Sequence, residues 1–217
     1  MLKDILANIY DFMYIIPVVL IALSVHELAH GYVAYLLGDN TAKNMGRLSI
    51  NPIHHIDPIG MLCLMFIGFG WAKPVPVNAY FFKNRKRDMA LTALAGPVSN
   101  FIMAFFGAVL LMLIGQIGLF DGIYVYVNSF LITFIRLNVG LGVFNLIPLP
   151  PLDGSKILSA VLPEDMYFNM MQYDRYFQMG LMILLFMGYL TRPLAIVRSF
   201  VFNGMVFWAA TLVGLFF

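Results

Sequence analysis

The sequence predicts an all-α polytopic membrane protein with about five or six transmembrane helices, and a re-entrant segment or β-strand region after the first helix. Three observations predict this. Of 217 residues, 61% are hydrophobic and 11% charged, and mean hydropathy is +0.86. A soluble domain of this size could not hide so much apolar surface, so its solvent is lipid. The apolar residues fall in long unbroken runs, not in the roughly ten-residue alternating segments of a membrane β-barrel. One further apolar run, 59–70, is about a dozen residues long, which suits a re-entrant or interfacial segment better than a crossing.

The elements follow in order. Crossing about 30 Å of hydrocarbon takes about 20 apolar residues. Candidate spans are 10–37, 90–119, 124–147, 176–190 and 194–217. The fourth is short, and Arg198 interrupts the fifth. The N-terminal run lacks a small-residue cleavage site, so the first span reads as retained. The whole reads as one membrane-embedded domain, 1–217, with a core at 10–160 and a C-terminal helical pair at 176–217.

The run 59–70 carries Gly60, Gly68 and Gly70. It lies between "NPIHHIDP" and "WAKPVPVN". In an extended strand, N–H groups two residues apart share an edge. Pro74 and Pro76 therefore blunt one edge, while Val75 and Val77 keep donors on the other, which leaves that edge able to pair. A rigid loop at the membrane surface is the alternative.

Lysine and arginine set the orientation. The cluster "KNRKR", 83–87, marks the cytoplasmic side. The loop 120–123 has neither residue and fits the outside; 148–173 returns to the cytoplasm. A net charge of +2 is too small to suggest nucleic acid. The single cysteine, Cys63, excludes an internal disulfide and a cysteine-based zinc knuckle.

Two histidines and a glutamate stand inside the otherwise apolar stretch from about Phe12 to Leu37. His26 and His30 are four apart, so a helix sets them on one face, one turn from each other. Two imidazoles so placed can grip one metal ion, with Glu27 beside them. In the H-E-x-x-H arrangement zinc acidifies a water; the Glu takes its proton and later delivers it to the leaving amine. Histidines bonded between helices are the bland alternative, and it weakens in lipid, where ionisable groups are costly.

A catalytic zinc usually has three protein ligands. Asp153, in "NLIPLPPLDGSKIL", ranks first for the third place. It follows Pro148, Pro150 and Pro151, which break a spanning helix near its cytoplasmic end, where freed backbone can line a cavity. Asp153 would also suit the N-cap of a helix from about Gly154 to Leu162. His54 and His55 compete for the ligand role. Asp153 and the histidines share a depth only if the first helix runs outside to inside and 59–70 returns without crossing.

"HELAHGYVAYLLGD", "NPIHHIDPIG", "GWAKPVPVN", "AGPVSN" and "NLIPLPPLDG" together resemble the site-2 proteases, zinc intramembrane proteases. The likeness covers about Ser24 to Leu158 and is closest to small prokaryotic members without a PDZ or CBS domain. It implies one Zn2+ held by His26, His30 and Asp153, with Glu27 as general base and acid. It implies that Asn145 holds the substrate backbone or oxyanion, and that the segment with Trp71, Val75 and Val77 meets an unwound substrate by β-augmentation. Residues His54 and Asn100 are possible supports, and an interhelical hydrogen bond is the plainer role for Asn100. The expected activity is endopeptidase cleavage in or near the transmembrane segment of single-pass membrane proteins. Rival readings are a metal-ion transporter, which would show sites relayed over several spans, and a catalytically inactive metal-binding scaffold, against which Glu27 stands.

Overall fold

The computed structural model describes residues 2–67, 70–117, 121–163, 166 and 172–216. Its helices are α1 (Leu2–Leu36), α2 (Thr41–Asn44), α3 (Pro58–Ile67), α4 (Arg85–Ile117), α5 (Asp121–Asn145), α6 (Asp153–Ser159), α7 (Asp174–Phe186) and α8 (Thr191–Gly214). Among the described residues four stretches are long and apolar enough to cross a bilayer: Tyr14–Leu36, Arg85–Gln116, Gly122–Asn145 and Thr191–Gly214. The expected span at 176–190 is replaced by α7, which has 13 residues. At 1.5 Å per residue it reaches about 20 Å, too little for a bilayer. The described residues thus give four candidate spans where five or six were expected.

The core lies where α4, α5 and α8 meet. Ala104 and Ala108 face Ile135, Val139 and Val143, and Ala209 closes the cluster from α8. Alanines let helix axes approach closely, which is how spans associate when lipid removes the hydrophobic drive. The N-terminus of α4 is fixed by reciprocal bonds. Asn84 accepts from the Arg87 N–H at 3.1 Å, and Asp88 accepts from the Asn84 N–H at 3.0 Å.

The stretch after α1 is built to hold an extended chain. Helix α1 stops at Gly38, whose φ of +109° admits glycine readily. Buried Asp39 follows. Its Oδ1 accepts from the Thr41 N–H and its Oδ2 from the Asn78 N–H at 2.6 Å. Arg47 donates to the carbonyls of Lys73 and Pro74 at 2.8 and 3.3 Å. Residues 72–78 are thereby pinned beside α1. Among the described residues no strand forms there; an isolated antiparallel bridge joins Ile56 to Ala72, and the Lys73 N–H donates to the His55 carbonyl at 2.8 Å. The ladder goes no further because the next donor on the Lys73 edge, the Val75 N–H, turns instead to the Glu27 carboxylate.

Helix α3 lies inside the excursion that this bridge closes, so the chain enters and leaves it side by side. A Cβ on Gly60 would sit 2.2 Å from the Trp71 carbonyl oxygen, so the close approach of the two limbs requires glycine. Residues 68 and 69 of the expected re-entrant run lie outside the described residues.

Candidate metal centre

The site forms where α1 passes α4 and the break between α5 and α6. His26 and His30 sit one turn apart on α1 with their rings edge to face, centroids 4.6 Å apart. Past Asn145, Pro148, Pro150 and Pro151 end α5 and turn the chain into α6. A Cβ on Gly154 would lie 2.4 Å from the carbonyl oxygens of Leu146 and Ile147. Only glycine lets α6 fold back so tightly, and this presses Asp153 against α1. The capping position belongs to Leu152, without a side-chain bond. Asp153 therefore begins α6 with its carboxylate turned to the histidines.

The Asp153 Oδ2 lies 3.1 Å from the Nε2 of His26 and 3.1 Å from the Nε2 of His30. The two Nε2 atoms are 3.0 Å apart. All three residues are buried. Their ligand atoms lie within 4.8 Å of one another.

The outer bonds determine what converges there. The His30 Nδ1 is 2.7 Å from the Thr92 carbonyl, which can only accept. It carries the proton, and the Nε2 lone pair faces inward. The His26 Nδ1 is 2.6 Å from the Asn100 Oδ1. The Asn100 Nδ2 donates to the Ala22 carbonyl at 3.3 Å and to the Asn138 Oδ1 at 3.0 Å. The Asn138 Nδ2 donates to the Phe134 carbonyl at 2.9 Å. Each amide is oriented by the next, and the series ends on a carbonyl. Both histidines are thus held with Nδ1–H outward and Nε2 lone pairs inward, as in second shells of metal-binding histidines. Two inward lone pairs and a carboxylate oxygen within 3.1 Å repel one another unless a cation lies between them. Hard and borderline nitrogen and oxygen donors of this kind suit zinc.

Space for the cluster comes from Gly96 on α4. A Cβ there would be 2.4 Å from the His30 Nε2 and 2.6 Å from the His26 Cε1. Glu27 points to the other wall. Its Oε2 accepts the Val75 N–H at 2.7 Å. Together these side chains line a cavity of about 340 Å³ that also takes in Val77, Asn145 and Lys156. Lys156 Nζ stands 3.7 Å from the Asp153 Oδ1, the oxygen turned away from the histidines.

Comparison with known proteins decides the family. Residues 117–188 match the sequence profile described as Peptidase family M50. The chain is 44% identical over 165 residues to YwhC of Bacillus subtilis strain 168, named as a candidate zinc metalloprotease, covering 75% of each chain. The chain belongs to peptidase family M50. A second relative is Rip2 of Mycobacterium tuberculosis, also named as a candidate zinc metalloprotease. It is 31% identical over 70% of this chain and 59% of its own length. The zinc metalloprotease MJ0392 of Methanocaldococcus jannaschii is 30% identical over 66% of this chain and 33% of its own. No solved structure matches.

The other expected residues of this M50 chain fall in several places. His54 is exposed with its Nδ1 on the Gly46 carbonyl at 3.0 Å, outside the cluster. The buried His55 uses its Nε2 on the Ser49 carbonyl. Trp71 is not among the residues around the metal cluster; it borders a neighbouring cavity. Asn145 lies in the wall, its amide donating to the Leu141 carbonyl. Sequence reasoning missed Thr92, Gly96, Asn138 and Lys156. Lys156 could have been found, since it follows Asp153 by one helical turn. Thr92 acts through its carbonyl and left no side-chain signal.

Proposed function

We propose that this chain is a zinc-dependent intramembrane endopeptidase, with His26, His30 and Asp153 as metal ligands and Glu27 as general base and acid. The observation that carries the reading is the convergence of three buried donor atoms, two of them on a helix long and apolar enough to span a membrane. Bound there, zinc would polarise the scissile carbonyl and bring a water's pKa near neutrality.

The chain's own residues supply the rest. Glu27 takes the proton of the attacking water and passes it to the leaving amine; the Val75 N–H orients its carboxylate. Asn145 donates to the substrate carbonyl as charge develops on its oxygen. Its Nδ2 gives one hydrogen to the Leu141 carbonyl and keeps the second for the substrate. Asn100 holds His26 in its ligating tautomer.

The Val75 N–H aims at Glu27, so the edge shared with Val77, the one the prolines leave intact, faces the cavity. An unwound substrate laid along that edge has its peptide bonds beside Glu27. The α3 excursion acts as the re-entrant element, because Ile56 and Ala72 adjoin at its base. The site opens toward the cytoplasm. Thr92 is seven residues inside the basic start of α4, a depth of about 10 Å. Substrates are single-pass membrane proteins whose helices unwind at the cut.

Zinc content and peptidase activity of the detergent-purified protein test this reading together. A protein that binds zinc and cleaves nothing fits the scaffold; one that moves zinc across vesicles fits the transporter.

A further inference from the structure

A second cavity, of about 470 Å³, lies along the turns of α1 that precede His26 and along α5 up to Phe144. Its walls include Leu20, Leu23, Leu137, Leu141 and Leu194. Two arginines also line it, Arg136 from α5 and Arg198 from α8. Both belong to candidate spans, where an arginine is costly and marks a partner or a function.

The two arginines are interleaved. The Arg198 Cδ lies 3.8 Å from the position of a Cβ on Gly140, one turn from Arg136. The Arg136 guanidinium stacks over Phe202, one turn from Arg198, at 5.7 Å. Among the described residues neither has a carboxylate partner. Asp57 also lines the cavity, but its Oδ1 is engaged by the N–H groups of Ile59 and Gly60 at 2.9 Å. His55 borders the same space, and its Nδ1 is buried without a partner. Because its Nε2–H donates to the Ser49 carbonyl, that Nδ1 is a free acceptor.

We propose that this cavity binds an anionic phospholipid, its phosphate held by Arg136 and Arg198 and its acyl chains lying on the leucine wall. Guanidinium groups suit phosphate oxygens in charge and geometry. A headgroup hydroxyl is the donor that His55 lacks. Two cations without a carboxylate partner among the described residues call for an anionic occupant, which an apolar spanning helix does not offer. The proposal needs the chain in a membrane and does not depend on the protease reading.

The test is a quenching titration that requires no activity. The chain has two tryptophans. Trp71 borders this cavity and Trp208 does not, so the experiment uses a Trp208→Phe background in phosphatidylcholine nanodiscs. Phosphatidylglycerol brominated near the top of its chains should quench Trp71 at a roughly tenfold lower mole fraction than similarly brominated phosphatidylcholine, given two arginines at the headgroup. Arg136→Gln/Arg198→Gln should abolish the difference, and Arg136→Lys/Arg198→Lys should keep most of it. Equal quenching by the two lipids in the parent would overturn the proposal whether or not the variants fold. So would release of the brominated lipid by a single-span peptide bearing one Glu but not by its Gln counterpart, which would assign the arginines to a substrate carboxylate.

Discussion

Asn100 and Asn138 meet at 3.0 Å between α4 and α5, both fully buried, and the direction of their bond dictates which nitrogen of His26 is free. Asn138 touches no ligand itself. It orients Asn100, and Asn100 accepts the His26 Nδ1 proton. Asn138→Leu should therefore weaken zinc binding about tenfold or more, as second-shell losses do, while the helical signal persists. Competition with a chelator measures it. Asn100→Asp keeps an acceptor for His26 and should retain zinc better than Asn100→Leu. Equal loss in the two Asn100 variants would leave that bond as mere packing.

Gly96 makes room for both imidazoles. Gly96→Ala places a methyl on a rigid helix 2.4 Å from the His30 Nε2. Zinc retention should fall by one to two orders of magnitude, on the scale of second-shell damage, with little change in helix content by circular dichroism. Unchanged zinc stoichiometry would show that the ligands have room to shift.

Asp153 and His54 give a paired test of the third ligand. Asp153→Asn should strip most of the zinc and the cleavage. His54→Ala should leave the zinc in place, because His54 faces the Gly46 carbonyl on the exposed surface. The reverse outcome would move the ligand to His54.

Val75→Pro removes the donor from the Glu27 carboxylate. A drop of about tenfold or more in kcat, as for a bond to a charged group, with KM unchanged and zinc bound, would assign that donor to Glu27. A rise in KM alone would assign it to substrate pairing. Val75→Ile keeps the N–H and should be nearly silent.

Orientation is tested by labelling in a Cys63→Ser background. Cysteines at Asn44 and Asn84 should both react only from the cytoplasmic side. Reaction of the first from outside would make the α3 excursion a true crossing.

Much of this was legible in the sequence because lipid simplifies the reading. Long apolar runs marked α1, α4, α5 and α8, and the i, i+4 spacing of His26 and His30 marked the face that meets Asp153. The prolines before Asp153 announced the break. Less was legible at the C-terminus, where the run at 176–190 is apolar enough to suggest a span, yet α7 ends at Phe186. A glycine with a positive φ, Gly188, stands at that end. The Val75 bond to Glu27 was hidden because edge patterns do not say which donor an acid will take. Asn138 was invisible for a different reason: its role exists only through Asn100, on another helix.

The central claim is that Glu27 acts on a peptide bond at a metal held by His26, His30 and Asp153. The most direct measurement is zinc content and cleavage of a membrane-embedded reporter by Glu27→Gln and His26→Ala, purified side by side. The account predicts about one zinc per chain and no cleavage for Glu27→Gln, and neither zinc nor cleavage for His26→Ala. Cleavage at the parental rate by either variant would contradict it.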